Sequence, residues 1–416
     1  MSDHDPPAGT PGDPDNPFAG LPFVGDLFRA MGTAGQGGDP GRQIAMSVAT
    51  GGRSEPNVDP MERIEWERLV RVAELQVADR TGLDVARGQA LTIEPVTRAA
   101  WASRSVDALR PLLGRLAEAL NQPPDLSDLP DLPDDPSAGE DPAARFGVGW
   151  MQGILASMGP LLTGITSGML VGRLAARSLG TYDLPIPRDA DSLLVVAPNV
   201  ADFGREWSLP ADDLRLWVCL HEAVHHAVLG VPHVREALTD LLTRHAGAFR
   251  NDPSALQEHL GDLDPMAGPE ALVELQQVLN PELVLGAVRS PEQEALLPHL
   301  EALVAVVIGY ADHVMDDIGG RLVTNYPMLT EALRRRRVQA DDEDRFIERI
   351  LGLNLTREQV ERGAAFVDGV VERAGEEGLR RLWVDRRHLP TPSEVNAPGL
   401  WLARIDLKPD EDSGTY

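Results

Sequence analysis

Residues Pro210–Gly230 read PADDLRLWVCLHEAVHHAVLG, and the fold turns on how this stretch is built. Proline at the entry, Asp212 and Asp213 at the positive end of the peptide dipoles, and glycine at the exit make it a helix. Its interior is apolar except for the cluster HEAVH, His221-Glu222-x-x-His225. A four-residue gap places both imidazoles on one helical face, one turn apart, where two ring nitrogens reach one Zn²⁺. Glu222 stands beside them, as a carboxylate must to take a proton from metal-acidified water and pass it to a leaving amine. Three fixed positions recur by chance on solvated helices. Here LRLWVCL precedes and AVLGV follows, so His221 is buried and needs a ligand or a hydrogen-bond partner.

A catalytic zinc takes three protein ligands and keeps the fourth position for water. The third is not a histidine six residues past His225, because that position is Val231 and His233 lies two residues too far. The other scheme draws an acid from a later helix. Leu296–Ile318, LLPHLEALVAVVIGYADHVMDDI, fits best and carries Asp312 in an apolar setting.

Five stretches now bear on family. LGTYDLPIP (Leu179–Pro187), VVAPNVADF (Val195–Phe203), LWVCLHEAVHHAVLGVP (Leu216–Pro232), IGYADHVMD (Ile308–Asp316) and LPTPSEVNAPGLWLARIDL (Leu389–Leu407) together resemble the zincin-like metallopeptidases of actinobacteria, described as hydrolases or as a domain of unknown function. The resemblance spans Phe146–Leu407 and is far more specific than HExxH alone. It implies a mainly α, zincin-like helical metallohydrolase fold with little strand, His221 and His225 as zinc ligands, and Glu222 as general base. It names no substrate; a peptide or protein is the substrate this chemistry most readily serves. It also exposes a departure: members tend to read EGYxD or EGWxD in the later helix, and this chain has Ile308 where that glutamate stands. Asp312, one turn on, then either orients a histidine or substitutes as third ligand. Glu301, Glu270 and Glu274 are the other acids considered. The remaining alternative is a metal-poor pseudo-enzyme serving as a binding or scaffold protein.

Neighbouring residues read as packing. His226 points about 100° away from His225. Cys219 is a small core residue off the ligand face. Tyr310 and His313 flank Asp312 as oxyanion candidates, and the segment holding Trp383 and Trp401 closes the core.

Outward from this centre, residues 1–60 form a Pro/Gly/Asp-rich disordered tail, relieved by FAGLPFVGDLFRAM at Phe18–Met31, which docks as a short helix. Residues 61–120 are helical, 121–145 an acidic Pro-rich linker, and 146–410 the catalytic region. Leu193–Val196 (LLVV) is the one convincing strand. Residues 146–172 carry no charge and many glycines, which suits a buried glycine-faced helix, with membrane contact as the minority reading.

A net charge of −27 repels phosphate backbones, so nucleic acid is excluded as a partner, and Arg334–Arg337 reads as a solvated face. One cysteine excludes a disulfide framework, and the acidic, proline-rich start is no secretory signal. Both point to a cytoplasmic protein.

Overall fold

The computed structural model describes residues 39–120 (save 89), 164, 167–251 (save 190 and 191) and 287–407 (save 289, 339–341 and 354). The Phe18–Met31 segment, the 121–145 linker, Glu270 and Glu274 lie outside the described residues. The fold is mainly α, as the resemblance implies.

In chain order, α1 (Pro40–Thr50) and α2 (Pro60–Thr81) precede β1 (Thr92–Val96) and α3 (Arg98–Leu120), and residues 167–177 form α4. Strand β2 (Ser192–Val196) leads into α5 (Ala197–Glu206), followed by α6 (Ala211–Gly230) and α7 (Pro232–Gly247). A two-residue hairpin pairs β3 (Arg250–Asn251) with β4 (Ala287–Val288). Then come α8 (Pro291–Leu322), α9 (Tyr326–Val338), α10 (Asp342–Ile350), α11 (Arg357–Arg380), the short α12 (Pro392–Val395) and α13 (Pro398–Asp406).

Two expectations need correction. Residues 1–60 are not a tail throughout: Asp39 caps α1 through its carboxylate, and Ala45 and Ala49 are core residues. The reason lies in the glycines read as a helix face. Gly168 and Gly172 on α4 let α1 approach backbone to backbone. A Cβ added at Gly172 would stand 2.6 Å from Val48 Cβ and 2.7 Å from the Ala45 carbonyl oxygen. The described end of the uncharged stretch is thus packed inside the protein.

The second correction is β1, which falls in a region read as helical. It pairs in parallel with the expected strand β2, from Thr92 opposite Ser192 to Val96 opposite Val196. Its alternating burial, with Ile93 and Pro95 inside on one face, is a strand pattern too short to register against the helical periodicity around it.

Helix α8 is the spine. It is long and apolar enough to cross a membrane, yet its centre from Ala302 to Ala311 is buried among other helices. It crosses α11 at Gly309 and Gly363, where a Cβ on Gly363 would lie 2.7 Å from the Ala305 carbonyl carbon. Trp401 on α13 donates its indole N–H to the His388 carbonyl at 2.7 Å and packs edge-on against Phe366, closing the core as expected.

Candidate active site

Helix α6 is buried along most of its length, and both histidines sit on its inward face. The His221 and His225 rings are 4.2 Å apart between centroids, as i and i+4 spacing requires. The Nδ1 of His225 lies 2.9 Å from the His221 carbonyl; donating that N–H leaves the lone pair on Nε2, the tautomer a metal ligand needs. Trp217 stacks on His221 at 4.9 Å, and Tyr182 on His225 at 6.2 Å.

Glu222 is held from outside its helix. The backbone N–H of Thr181 donates to Oε2 at 2.9 Å, and that of Tyr182 to Oε2 and Oε1 at 3.1 and 3.2 Å. Gly180 must be glycine here, because a Cβ would stand 2.5 Å from the Glu222 carboxyl carbon. The turn is in turn fixed by β2: Val196 N–H donates to the Leu179 carbonyl, Leu194 N–H donates to the Thr181 hydroxyl at 2.8 Å, and Gly180 bridges to Val195. The Trp101 indole donates to the Gly180 carbonyl. The small parallel sheet therefore positions the carboxylate.

Burial pushes the Glu222 carboxyl up to about 8, and the negative charge of Asp183 adds to it against the two backbone donors. The sign follows from proton binding. Between about 4.5, its ordinary value, and about 8 the folded chain keeps a proton that the unfolded chain has lost, so stability falls as pH rises. The melting temperature of metal-free protein should therefore drop from about pH 5 to about pH 8. Glu222→Gln should flatten that slope; thermal melts across the range decide it.

Asp183 accepts the Leu179 N–H at 3.0 Å and pairs with Arg336 at 3.0 Å. Desolvation opposes its charge, yet Arg336 and that backbone donor hold its carboxyl below the usual carboxylate range. A cavity of about 380 Å³ opens here, lined by Asp183, Trp207, Trp217, His221, Glu222 and Arg336.

Other expectations resolve individually. His226 is buried, its Nδ1 3.1 Å from the Tyr182 hydroxyl, and burial lowers its imidazole to about 3, so it is neutral packing. Cys219 is fully buried. Tyr310 packs edge-on against Trp383, His313 joins Arg80 and Glu376, and neither lines the cavity beside His221. Glu301 accepts from Gln359. Ile308 is buried hydrocarbon, and Asp312 is half-buried one turn on; burial and the bond to Asp316 raise the Tyr326 phenol, with a smaller contribution from the charge of Asp312. The expected solvated face of Arg334–Arg337 is corrected at Arg336, which turns inward to Asp183 because an acid and a carbonyl meet it there.

The donor chemistry fits zinc at two positions: His221 and His225 offer borderline-soft nitrogens on one face, with Glu222 adjacent. Among the described residues no group of three His, Cys, Asp or Glu side chains is assembled at metal-binding spacing. Reading from the sequence missed Gly180, the Thr181 and Tyr182 amides, Asp183 and Arg336. The LGTYD stretch was visible, but nothing in it announces that its peptide N–H groups face a helix 40 residues on.

No curated protein matches the chain. Among solved structures, one from Chloroflexus aurantiacus, described as "a putative hydrolase with a novel fold", is similar at a TM-score of 0.54 and 24% identity, covering 89% of this chain and 98% of that one. At that identity the likeness speaks to fold alone. A model of the zincin-like metallopeptidases matches residues 39–402, nearly all of the described chain, and the protein belongs to that family.

Proposed function

We propose that the protein is a zinc-dependent hydrolase acting on peptide bonds in a cytoplasmic setting, with His221 and His225 holding the metal and Glu222 as general base. The observation that carries this is the placement of both imidazoles on one buried helical face with the Glu222 carboxylate 3.5 Å from His221 Nδ1, and His221 and Glu222 opening on a cavity of about 380 Å³, within the range of small-ligand sites. Bound zinc would supply Lewis acidity, polarising a carbonyl and acidifying water. Glu222 takes the proton from the attacking water and returns it to the leaving amine. The two backbone donors keep the carboxylate from swinging away. Asp312 is the α8 acid this reading assigns to orienting or completing the ligand set.

A second reading is favoured by Ile308, a buried hydrocarbon where the resemblance expects a glutamate: a pseudo-enzyme that kept the fold as a binding scaffold. Elemental analysis of protein purified without a metal-affinity tag separates them. About one zinc per wild-type chain supports the hydrolase. Little zinc in wild type with full loading of Ile308→Glu supports the scaffold.

A further inference from the structure

We propose that Arg336 and Asp183 are positioning residues of this site, a clasp from α9 that holds the Leu179–Asp183 turn closed on Glu222. The inference rests on the metal-site reading only for its zinc readout.

Within the arginine run the side chains divide sharply. Arg334 and Arg335 are exposed and pair with Glu331 on their own helix. Arg336 turns inward, donates to the Arg177 carbonyl at the end of α4 and to Asp183 Oδ2, and lies over the Phe203 ring at 5.8 Å. One guanidinium thus ties α9, the end of α4 and the turn together. Asp183 closes the turn on itself through its other oxygen, which accepts the Leu179 N–H. Between these two fixed ends stand the peptide N–H groups that grip Glu222. Asp183 and Arg336 also line the same cavity as His221 and Glu222.

A partly buried ion pair contributes little net stability, since desolvation offsets attraction, but it fixes geometry through directional bonds. Both bonds leave one nitrogen, Nη2, so a lysine ammonium keeps the charge and enough donors but brings them on a shorter stem and without the flat guanidinium that lies over Phe203.

The test compares Arg336→Met, Arg336→Lys, Asp183→Asn, Asp312→Asn and the control Arg334→Met in the full chain. Zinc affinity is read by chelator competition, and hydrogen exchange is followed over residues 179–183. Arg336→Met and Asp183→Asn should weaken zinc about 10–100-fold, the usual effect of losing an outer-shell partner, and speed exchange at Thr181 and Tyr182. Arg336→Lys should give intermediate values, and Arg334→Met should change neither. If Arg336→Met fails to fold, the Lys and Asn variants carry the comparison. Unchanged zinc affinity and exchange in Asp183→Asn and Arg336→Met overturn the clasp. So does zinc loss in Asp312→Asn with none in Asp183→Asn. A wild-type chain that takes up no zinc defeats the metal-site reading instead, and the exchange data alone then decide the clasp.

Discussion

Glu222→Gln should retain zinc and lose about 10²–10⁴ in turnover on any peptide the wild type cleaves, the range general-base catalysis supplies. The two halves of that result come from different atoms. An amide oxygen in place of Oε2 still accepts from Thr181 and Tyr182, both of which reach that atom. The amide nitrogen replaces Oε1, which receives only the longer 3.2 Å bond from Tyr182 and faces His221 Nδ1 at 3.5 Å. The side chain should therefore stay in place, the imidazoles should keep their orientation, and the metal should remain. What disappears is a basic oxygen, which an amide cannot provide. Metal content measured beside turnover checks both halves; a variant that still turns over places the base elsewhere.

His221→Ala should take the zinc content from about one per chain to below about a tenth, because it removes one of two imidazoles in a site where the described residues assemble no third donor. The ring also sits between Trp217 and His225, so its loss leaves space in a packed stack and costs on the order of 1–3 kcal/mol of stability. Elemental analysis reads the first effect, and thermal melting reads the second. Zinc retained in this variant would mean that the metal binds elsewhere.

What could be read from the sequence is set by distance along the chain. The histidine pair and its glutamate lie within five residues, so helical geometry alone puts them together, and the structure agrees. The strand at Leu193–Val196 was visible as a short apolar run bounded by turn formers, whereas its partner Thr92–Val96 was hidden between two strong helices and takes shape only through pairing 100 residues away. The grip on Glu222 comes from peptide N–H groups, which every residue but proline carries, so no side-chain pattern marks it. Arg336 was hidden differently. Its three arginine neighbours make the run look uniformly solvated, and only the turn of α9 against Asp183 singles it out.

The glycine face of α4 bears on how the protein is made. Val48 and Ala45 on α1 lie against Gly172, roughly 120 residues later in synthesis, while Arg42 on the same helix pairs with Asp107 on α3, about 65 residues on. At about 5–20 residues per second, α1 leaves the ribosome several seconds before its first partner and on the order of ten seconds before its second. During that interval a short helix without its partners does not hold. The nascent chain therefore presents the small apolar side chains of α1 to the cell's folding machinery until α3 and then α4 have been made.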